Sequence, residues 1–164
     1  MKVEKQARCT VSLDMCMLNG NIIENINKEI IKKYKNRYLN DIKCYFLELK
    51  KVLKMTNSIS SAHSHVVFEC DCLLNVLDAS IGKWVSGSCQ IAGGTGIFVT
   101  NDIIKVYIKN DTLESMGYSY DESSNSYVNK DKKFEDMTDV EVKIKNLSFI
   151  GDSYKYIGND IKDI

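Results

Sequence analysis

The sequence contains no proline, and it has only two histidines and one tryptophan among its 164 residues. Its formal net charge is zero, because 22 Lys and Arg residues balance 22 Asp and Glu residues. This balance argues against wholesale neutralisation of nucleic acid, although it still permits a local basic patch. No apolar run approaches the roughly 20 residues that a membrane-spanning helix requires. We therefore expect a folded protein with no membrane partner.

The first residues of the sequence predict no export signal. Residues Met1 to Thr10 are charged and contain no apolar segment of the kind found in signal peptides. We expect an intracellular protein, which would be cytoplasmic or packaged in the virion if the source is a virus, and nuclear if it is a eukaryotic cell. Asn, Lys and Ile are frequent, a bias that indicates an AT-rich coding genome.

None of the six cysteines forms a C-x-x-C pair. Without an export signal, we expect reduced thiols that are mostly buried as small apolar side chains. The alternative is a metal site, since His63 and His65 lie near Cys70 and Cys72. In a continuous strand, however, the odd-numbered histidines and even-numbered cysteines point to opposite faces. We therefore predict no metal site.

Motifs for catalysis are missing as well. The chain has no G-x-S-x-G nucleophile motif. The run Gly93-Gly94-Thr95-Gly96 lacks the Lys and Ser or Thr of a phosphate-binding loop, and no helix is expected after it. We interpret this run as a turn between strands and predict a protein that is not an enzyme and has no cofactor.

The first half of the chain predicts a sheet covered by one helix. Ile22 to Tyr34 has apolar residues at helical spacing, and Asn19 or Asn21 is placed to cap its start. Its apolar stripe is expected to pack on the sheet. Thr56 to Ala62 is rich in serine and predicts a loop. The predicted strands are Val3–Leu13, Ile42–Leu53 and His65–Leu77, the last with clear alternation of apolar residues.

The second half, after a boundary near Asp78 to Gly82, predicts short strands in quick succession. Five such strands with a long polar stretch before the fourth are typical of an OB-fold barrel. We therefore predict an α+β protein with an N-terminal domain, residues 1–80, and a C-terminal OB-fold barrel, residues 81–164. The five predicted strands are Lys83–Ile91, Ile97–Thr100, Ile103–Lys109, Val140–Leu147 and Ser153–Ile157, and the polar stretch is Asn110–Lys133.

Basic residues concentrate between Lys28 and Lys54. This segment has nine basic and three acidic residues, a local excess of six positive charges. Such an excess favours an acidic partner, although lysines on a solvated face would give the same pattern. The basic residues are Lys28, Lys32, Lys33, Lys35, Arg37, Lys43, Lys50, Lys51 and Lys54.

The order of strand, helix, two long strands and barrel resembles the stalk subunit of multisubunit DNA-directed RNA polymerases. This is the seventh-subunit family of eukaryotes, which has an archaeal counterpart, and poxviruses have versions of nearly this length. Lys83 to Cys89 with Gly96-Ile97-Phe98-Val99 is similar to the family's barrel signature, and Met137 to Ile144 to its fourth strand. The chain departs from the family in having no proline, in carrying Thr138 where the family has Gly before the fourth strand, and in lacking an F-x-P element before the barrel.

The resemblance implies a non-catalytic polymerase subunit. Its first half would dock on the largest subunit and a small core subunit, with or without a fourth-subunit-like partner. Its barrel would contact emerging RNA or factors. The alternatives are a free-standing single-stranded RNA-binding barrel protein and a purely structural protein whose barrel binds protein.

OB-fold barrels bind single strands by stacking bases on aromatic rings and by lining the path of the strand with cations. We therefore expect aromatic and basic residues on the outer face of the predicted barrel to bind RNA weakly. Lys105, Tyr107 and Lys109 alternate on one outward strand face, and Phe98 lies on the next strand. Lys83 and Trp84 open the first strand. Phe98 could equally close the barrel, and Trp84 could fill the contact with the first half. The predicted RNA-binding residues are Lys83, Trp84, Phe98, Lys105, Tyr107 and Lys109.

Overall fold

A computed structural model describes residues 1–60, 64–150 and 153–164 and shows a chain built mostly of β-sheet. Its described residues form two α-helices and a closed five-stranded barrel. The chain separates into two compact units, Lys2–Asp78 and Ala79–Ile164, with Met1 belonging to the second. No helix among the described residues is both long enough and apolar enough to cross a membrane.

The first unit is a four-stranded antiparallel sheet with one helix packed on one face. Its elements are β1 (Lys2–Asp14), α1 (Ile22–Tyr34), β2 (Tyr38–Leu39), β3 (Cys44–Ser60) and β4 (His65–Leu77). The strand order is β1-β4-β3-β2, so β4 is central and β3 is an edge strand wherever β2 does not reach it. The core lies between the helix and this face of the sheet.

Helix α1 begins and ends where the sequence predicts. The Asn21 side chain caps it by accepting a hydrogen bond from the Glu24 backbone N–H at 3.2 Å. Ile26 and Ile30 are fully buried against the sheet. The apolar stripe predicted from the sequence also includes Ile23 and Ile31, but these two side chains are 62% and 43% exposed. Each of them follows a more buried isoleucine and is rotated from it by about 100° around the helix axis. The sheet covers a stripe of the helix that is too narrow to include both residues of such a pair.

The loop predicted for Thr56 to Ala62 is wrong for Thr56–Ser60, which continue strand β3. Residues 61 and 62 lie outside the described residues. The serine content predicts a loop, but pairing with the apolar strand β4 holds this segment extended despite its polar composition. Three register shifts occur between β3 and β4, before Glu48, Lys51 and Lys54. They break the alternation that a simple strand pattern needs.

The second unit contains the closed barrel. Its strands are β5 (Trp84–Ile91), β6 (Gly96–Thr100), β7 (Lys105–Lys109), β11 (Asp139–Ile150) and β12 (Ser153–Asp163). They follow the order β11-β12-β7-β6-β5 around the barrel. Neighbours are antiparallel except β12 and β7, which are parallel. Counted along the chain, the first strand pairs with the second and fourth, and the third with the fifth.

The five predicted barrel strands are present, with shifted ends. The inward positions on β7 and β11 are confirmed, since Val106, Ile108, Val140 and Val142 are fully buried. Gly158 on β12 permits close packing inside the barrel, because a Cβ there would lie 2.4 Å from a methyl carbon of Val142.

The polar stretch Asn110–Lys133 is more ordered than its composition indicates. It contains helix α2 (Asn110–Ser115) and most of a small antiparallel sheet. The three strands of this sheet are β8 (Ser119–Asp121), β9 (Ser126–Asn129) and β10 (Lys132–Phe134). Aromatic rings organise this part, as Tyr118 and Phe134 are buried with ring centroids 4.9 Å apart.

Candidate nucleic-acid interface

The outer face of strands β6 and β7 carries the cluster that comes nearest to the predicted RNA site. Phe98 and Tyr107 are direct cross-strand partners on this face. Their ring centroids lie 4.8 Å apart and the ring planes are inclined by 33°. Both rings are only partly buried. Phe98 therefore does not close the barrel core, which was the alternative, because its neighbours Ile97 and Val99 take the inward positions.

A cation lies beside this aromatic pair. The Lys105 ammonium is 4.1 Å from the centroid of the Phe98 ring, within the range of a cation–π interaction. Lys105 is exposed, so its ammonium can exchange the ring for a phosphate without a large desolvation cost. Lys109 follows at the other end of β7 and is also exposed. Tyr107 therefore lies between two cations on one strand face.

The Tyr107 ring is held in place by the preceding turn. Its hydroxyl donates a hydrogen bond to the Thr95 carbonyl oxygen at 2.6 Å. Gly93–Thr95 form a short 3₁₀ turn between β5 and β6, in agreement with the turn expected from the sequence.

Gly96, the residue after this turn, shapes the same region. It has φ = +149°, and a Cβ atom would lie 2.1 Å from the Ile108 carbonyl oxygen and 3.0 Å from the Tyr107 ring. Glycine is required here because β6 approaches β7 so closely.

Lys83 and Trp84 lie apart from this cluster. Trp84 begins β5 and pairs with Lys143 of β11, whereas the β5 partner of Phe98 is Gln90. Six residues of extended strand separate Trp84 from Gln90, which is about 20 Å. The six predicted residues therefore form two groups, with Lys105, Tyr107, Lys109 and Phe98 on one side and Lys83 and Trp84 on another.

The Trp84 group includes two lysines that the sequence analysis missed. The Lys162 ammonium lies 4.5 Å from the Trp84 ring, and that of Lys143 lies 6.0 Å away. Lys162 also forms an ion pair with Glu141 at 2.8 Å, which lowers the pKa of Glu141, chiefly through that hydrogen bond. Outward alternation along β11 could have identified Lys143, but the partner strand of Trp84 cannot be read from the sequence.

A further aromatic residue, Tyr120 on β8, borders the glycine turn. Its ring lies 3.5 Å from the position that a Cβ on Gly94 would occupy. It packs against the buried ring of Tyr127, with centroids 5.4 Å apart. The Tyr127 hydroxyl lies 3.2 Å from the Gly93 carbonyl oxygen and 3.1 Å from Asn110 Oδ1. The small sheet thus supports the turn that positions Tyr107.

The described cysteines of β4 and His65 lie too far apart, on opposite faces of that strand, to share a metal ion. Cys70 and Cys72 lie on the buried face of β4, and burial raises the pKa of the Cys70 thiol to about 11. His65 lies on the opposite face, with Nδ1 2.6 Å from the Asp14 carboxylate. His63 lies outside the described residues. Among those residues, no three His, Cys, Asp or Glu side chains are placed to hold a metal ion.

Chemically, the β6–β7 face offers two ring surfaces and two exposed cations. Such a surface can stack nucleobases and neutralise phosphates, and its described residues present no assembled pair of catalytic groups. Comparison with protein-family models gives no match for this chain, and comparison with curated proteins gives none either.

Proposed function

We propose that the barrel is an OB fold that binds single-stranded RNA on the outer face of β6 and β7. The strand order supports the fold assignment, because the first strand pairs with the second and fourth and the third runs parallel to the fifth. In OB folds the second and third strands provide the surface for oligonucleotides. Here those strands are β6 and β7.

The observation that carries the RNA proposal is the close contact between the tilted rings of Phe98 and Tyr107, with Lys105 on the Phe98 ring. Base stacking on aromatic side chains contributes about 1–3 kcal/mol for each base and tolerates any sequence. An incoming base would displace the Lys105 ammonium from the ring, and the ammonium would then pair with the adjacent phosphate. Because few cations lie near the site, the affinity for RNA is weak, and it decreases as the salt concentration rises.

The first unit supplies a different activity, namely docking to protein. Its sheet and helix have a separate core and carry the basic segment from Lys28 to Lys54. Together with the sequence resemblance, this organisation supports a non-catalytic subunit of a DNA-directed RNA polymerase. The first unit would dock on the polymerase core, and the barrel would bind nascent RNA or factors.

The alternative is a free-standing RNA-binding protein, which shares the barrel site but has no polymerase partner. A tagged pull-down from the native source at moderate salt, followed by mass spectrometry, separates the two. We expect the large polymerase subunits in fixed proportion to the tagged chain. A variant carrying Lys105→Gln and Tyr107→Ala serves as control and should recover the same subunits with less RNA.

Other outcomes of the pull-down contradict the polymerase role. RNA and ribosomal proteins without polymerase subunits would assign the chain to the free-standing class. Recovery of neither RNA nor polymerase would overturn both readings and favour a barrel that binds protein.

A further inference from the structure

Strand β3 has a long edge that no other described strand covers. Strand β2 pairs with it only at Cys44 and Tyr45. Two backbone hydrogen bonds extend this pairing to Phe46, whose N–H donates to the Arg37 carbonyl oxygen and whose carbonyl oxygen accepts from the Asn36 N–H. From Leu47 to Ser60, none of the described residues pairs with the outer edge of β3. An uncovered edge presents unpaired backbone N–H and C=O groups and is a template for another strand.

The two halves of this edge differ in regularity. Register shifts before Glu48, Lys51 and Lys54 interrupt it at intervals of three residues. Such bulges make a strand edge a poor partner for pairing. From Lys54 to Ser60 the register is regular and no bulge interrupts it. Only the segment Lys54–Ser60 therefore has an edge that is regular enough for another strand to pair with it.

Hydrogen bonding at the opposite edge fixes which backbone groups face outward on β3. The N–H of Thr10 on β1 donates to the Tyr34 hydroxyl at 2.9 Å, so the backbone groups of Thr10 point away from β4. Its partner Glu69 must then direct its backbone groups toward β3, where its partner is Thr56. Thr56 and Ser58 consequently face β4, and the N–H and C=O groups of Met55 and Asn57 face outward.

The two outer edges of the sheet differ in whether side chains cap their outward backbone groups. On β1, the side chains of Tyr34 and Lys33 occupy the outward groups of Thr10, with Lys33 Nζ 2.5 Å from the Thr10 carbonyl oxygen. On β3, no described side chain forms such a cap on the backbone of Met55 or Asn57. Helix α1 thus caps the β1 edge at Thr10, whereas no described side chain caps the β3 edge at Met55 or Asn57.

An apolar groove lies beside the open edge. Its volume is about 640 Å³, and it runs from the start of α1 to the helix side of β3 and β4. Ile23 and Met55 line it and are 62% and 40% exposed, which is high for side chains of this type. The remaining apolar lining comes from Leu18, Ile22, Val66 and Phe68. A strand added to β3 would direct every second side chain toward this groove.

Charge indicates the chemistry of the occupant. The regular segment begins with Lys54, and two more lysines, Lys50 and Lys51, lie shortly before it. None of the three forms an ion pair with a described residue. Glu48 is the one acidic residue on β3, and it accepts a hydrogen bond from Asn75. The regular segment therefore begins at a basic end, formed by Lys54 and the two lysines before it.

We propose that Lys54–Ser60 of β3 bind an extended segment of a partner protein that has apolar residues at alternate positions and an acidic residue at the end that lies beside Lys54. The apolar side chains occupy the groove, and the acidic end pairs with Lys54 and the two lysines before it. This mode is β-strand addition, in which backbone hydrogen bonds give affinity and pockets for alternate side chains give specificity. The inference deepens the proposed function and rests on it in one respect, that the first unit is the protein-binding part.

The test uses the full chain and a synthetic peptide of about seven residues that alternates valine with glutamate. Amide hydrogen exchange is followed by NMR with and without peptide. We expect slower exchange at Met55 and Asn57 and no change at Thr56 and Ser58, which already pair with β4. The same peptide with alternate amides N-methylated should give no protection.

A matched pair of variants probes the edge itself. Asn57→Pro removes one outward N–H and leaves the pairing with β4 intact, whereas Asn57→Ala changes the side chain alone. We expect at least about tenfold weaker peptide binding for the proline variant and less than about threefold for the alanine variant. If the proline variant is unfolded by circular dichroism, the exchange pattern of the unmodified chain decides the question.

Three results would overturn the inference. Exchange at Met55 and Asn57 could remain unchanged at saturating peptide, or equal protection could appear with the N-methylated peptide. Protection that rises with protein concentration in the absence of peptide would assign the edge to a second copy. Failure of RNA binding by the barrel would instead contradict the proposed function and leave this surface standing.

Discussion

Phe98 and Tyr107 face each other across strands β6 and β7, with ring centroids 4.8 Å apart and Lys105 Nζ 4.1 Å from the Phe98 ring. Half-buried aromatic residues on an outer barrel face lose apolar contact that a core position would provide. A surface that keeps two rings and a cation together is suited to a flat, negatively charged ligand. Single-stranded RNA has this character.

The Tyr107 hydroxyl and the Tyr107 ring have separable roles. Tyr107→Phe removes the hydrogen bond to the Thr95 carbonyl oxygen and keeps the stacking surface. We expect the free energy of unfolding to fall by about 1 kcal/mol, while RNA affinity stays within about twofold. Chemical denaturation and fluorescence anisotropy measure the two effects. A large loss of affinity with unchanged stability would show that the hydroxyl contacts RNA directly.

Glycine is required at position 96 and not at position 94. Gly96→Ala places a Cβ 2.1 Å from the Ile108 carbonyl oxygen, at a φ of +149° that favours glycine. We expect a loss of about 3 kcal/mol in the free energy of unfolding. Gly94→Ala is the matched control, since its Cβ meets only the Tyr120 ring at 3.5 Å. Equal stability of the two variants would contradict the close approach of β6 to β7.

One of the six cysteines should react rapidly with a thiol reagent in the folded protein. Cys16 is exposed and the other five are buried. Burial raises the pKa of Cys70 to about 11 and that of Cys89 to about 12, so both remain neutral thiols at pH 7. Titration with Ellman's reagent should count one fast thiol, and six after denaturation. The Cys16→Ser variant should have no fast thiol, and any fast thiol in that variant would contradict the burial of the other five cysteines.

Glu141 should titrate at a lower pH than an ordinary glutamate, whose pKa is near 4.5. The Lys162 ammonium lowers its pKa through a hydrogen bond at 2.8 Å. The ion pair therefore contributes stability above pH 4.5, and this contribution disappears as the pH falls through the lowered pKa.

The pKa of Glu141 can be measured by NMR titration of its carboxyl carbon. Lys162→Met keeps the apolar stem of the side chain and should return the pKa of Glu141 toward its ordinary value. Identical titration in the original chain and in this variant would show that Lys162 does not hold the carboxylate.

The strands and helix α1 could be predicted because their periodicity is local. His65–Leu77 alternates strictly and forms a strand with those bounds. The prediction was wrong at the serine-rich end of β3, where pairing with β4 forms a strand although the local composition indicates a loop. The bulges in β3 are set by its partner β4, and no local pattern shows them.

The candidate site was predictable to the extent that it lies on neighbouring strands. Lys105, Tyr107 and Lys109 alternate within one strand, and the short connection from β6 makes Phe98 their neighbour. Trp84 was grouped with them because it also faces outward. Its true neighbours, Lys143 and Lys162, come from strands about 60 to 80 residues later in the chain, and only barrel closure brings them together.

The measurement that bears most directly on RNA binding is an anisotropy titration of a labelled single-stranded RNA with the full chain. The double variant Lys105→Gln with Tyr107→Ala is compared with Lys50→Gln, which changes an exposed lysine on β3 of the first unit. We predict at least about tenfold weaker binding for the folded double variant and no change for the control. For the original chain, two neutralised phosphates predict about sevenfold weaker binding at about 200 mM than at about 50 mM salt. Unchanged RNA affinity in a folded double variant would contradict the assignment of this barrel face.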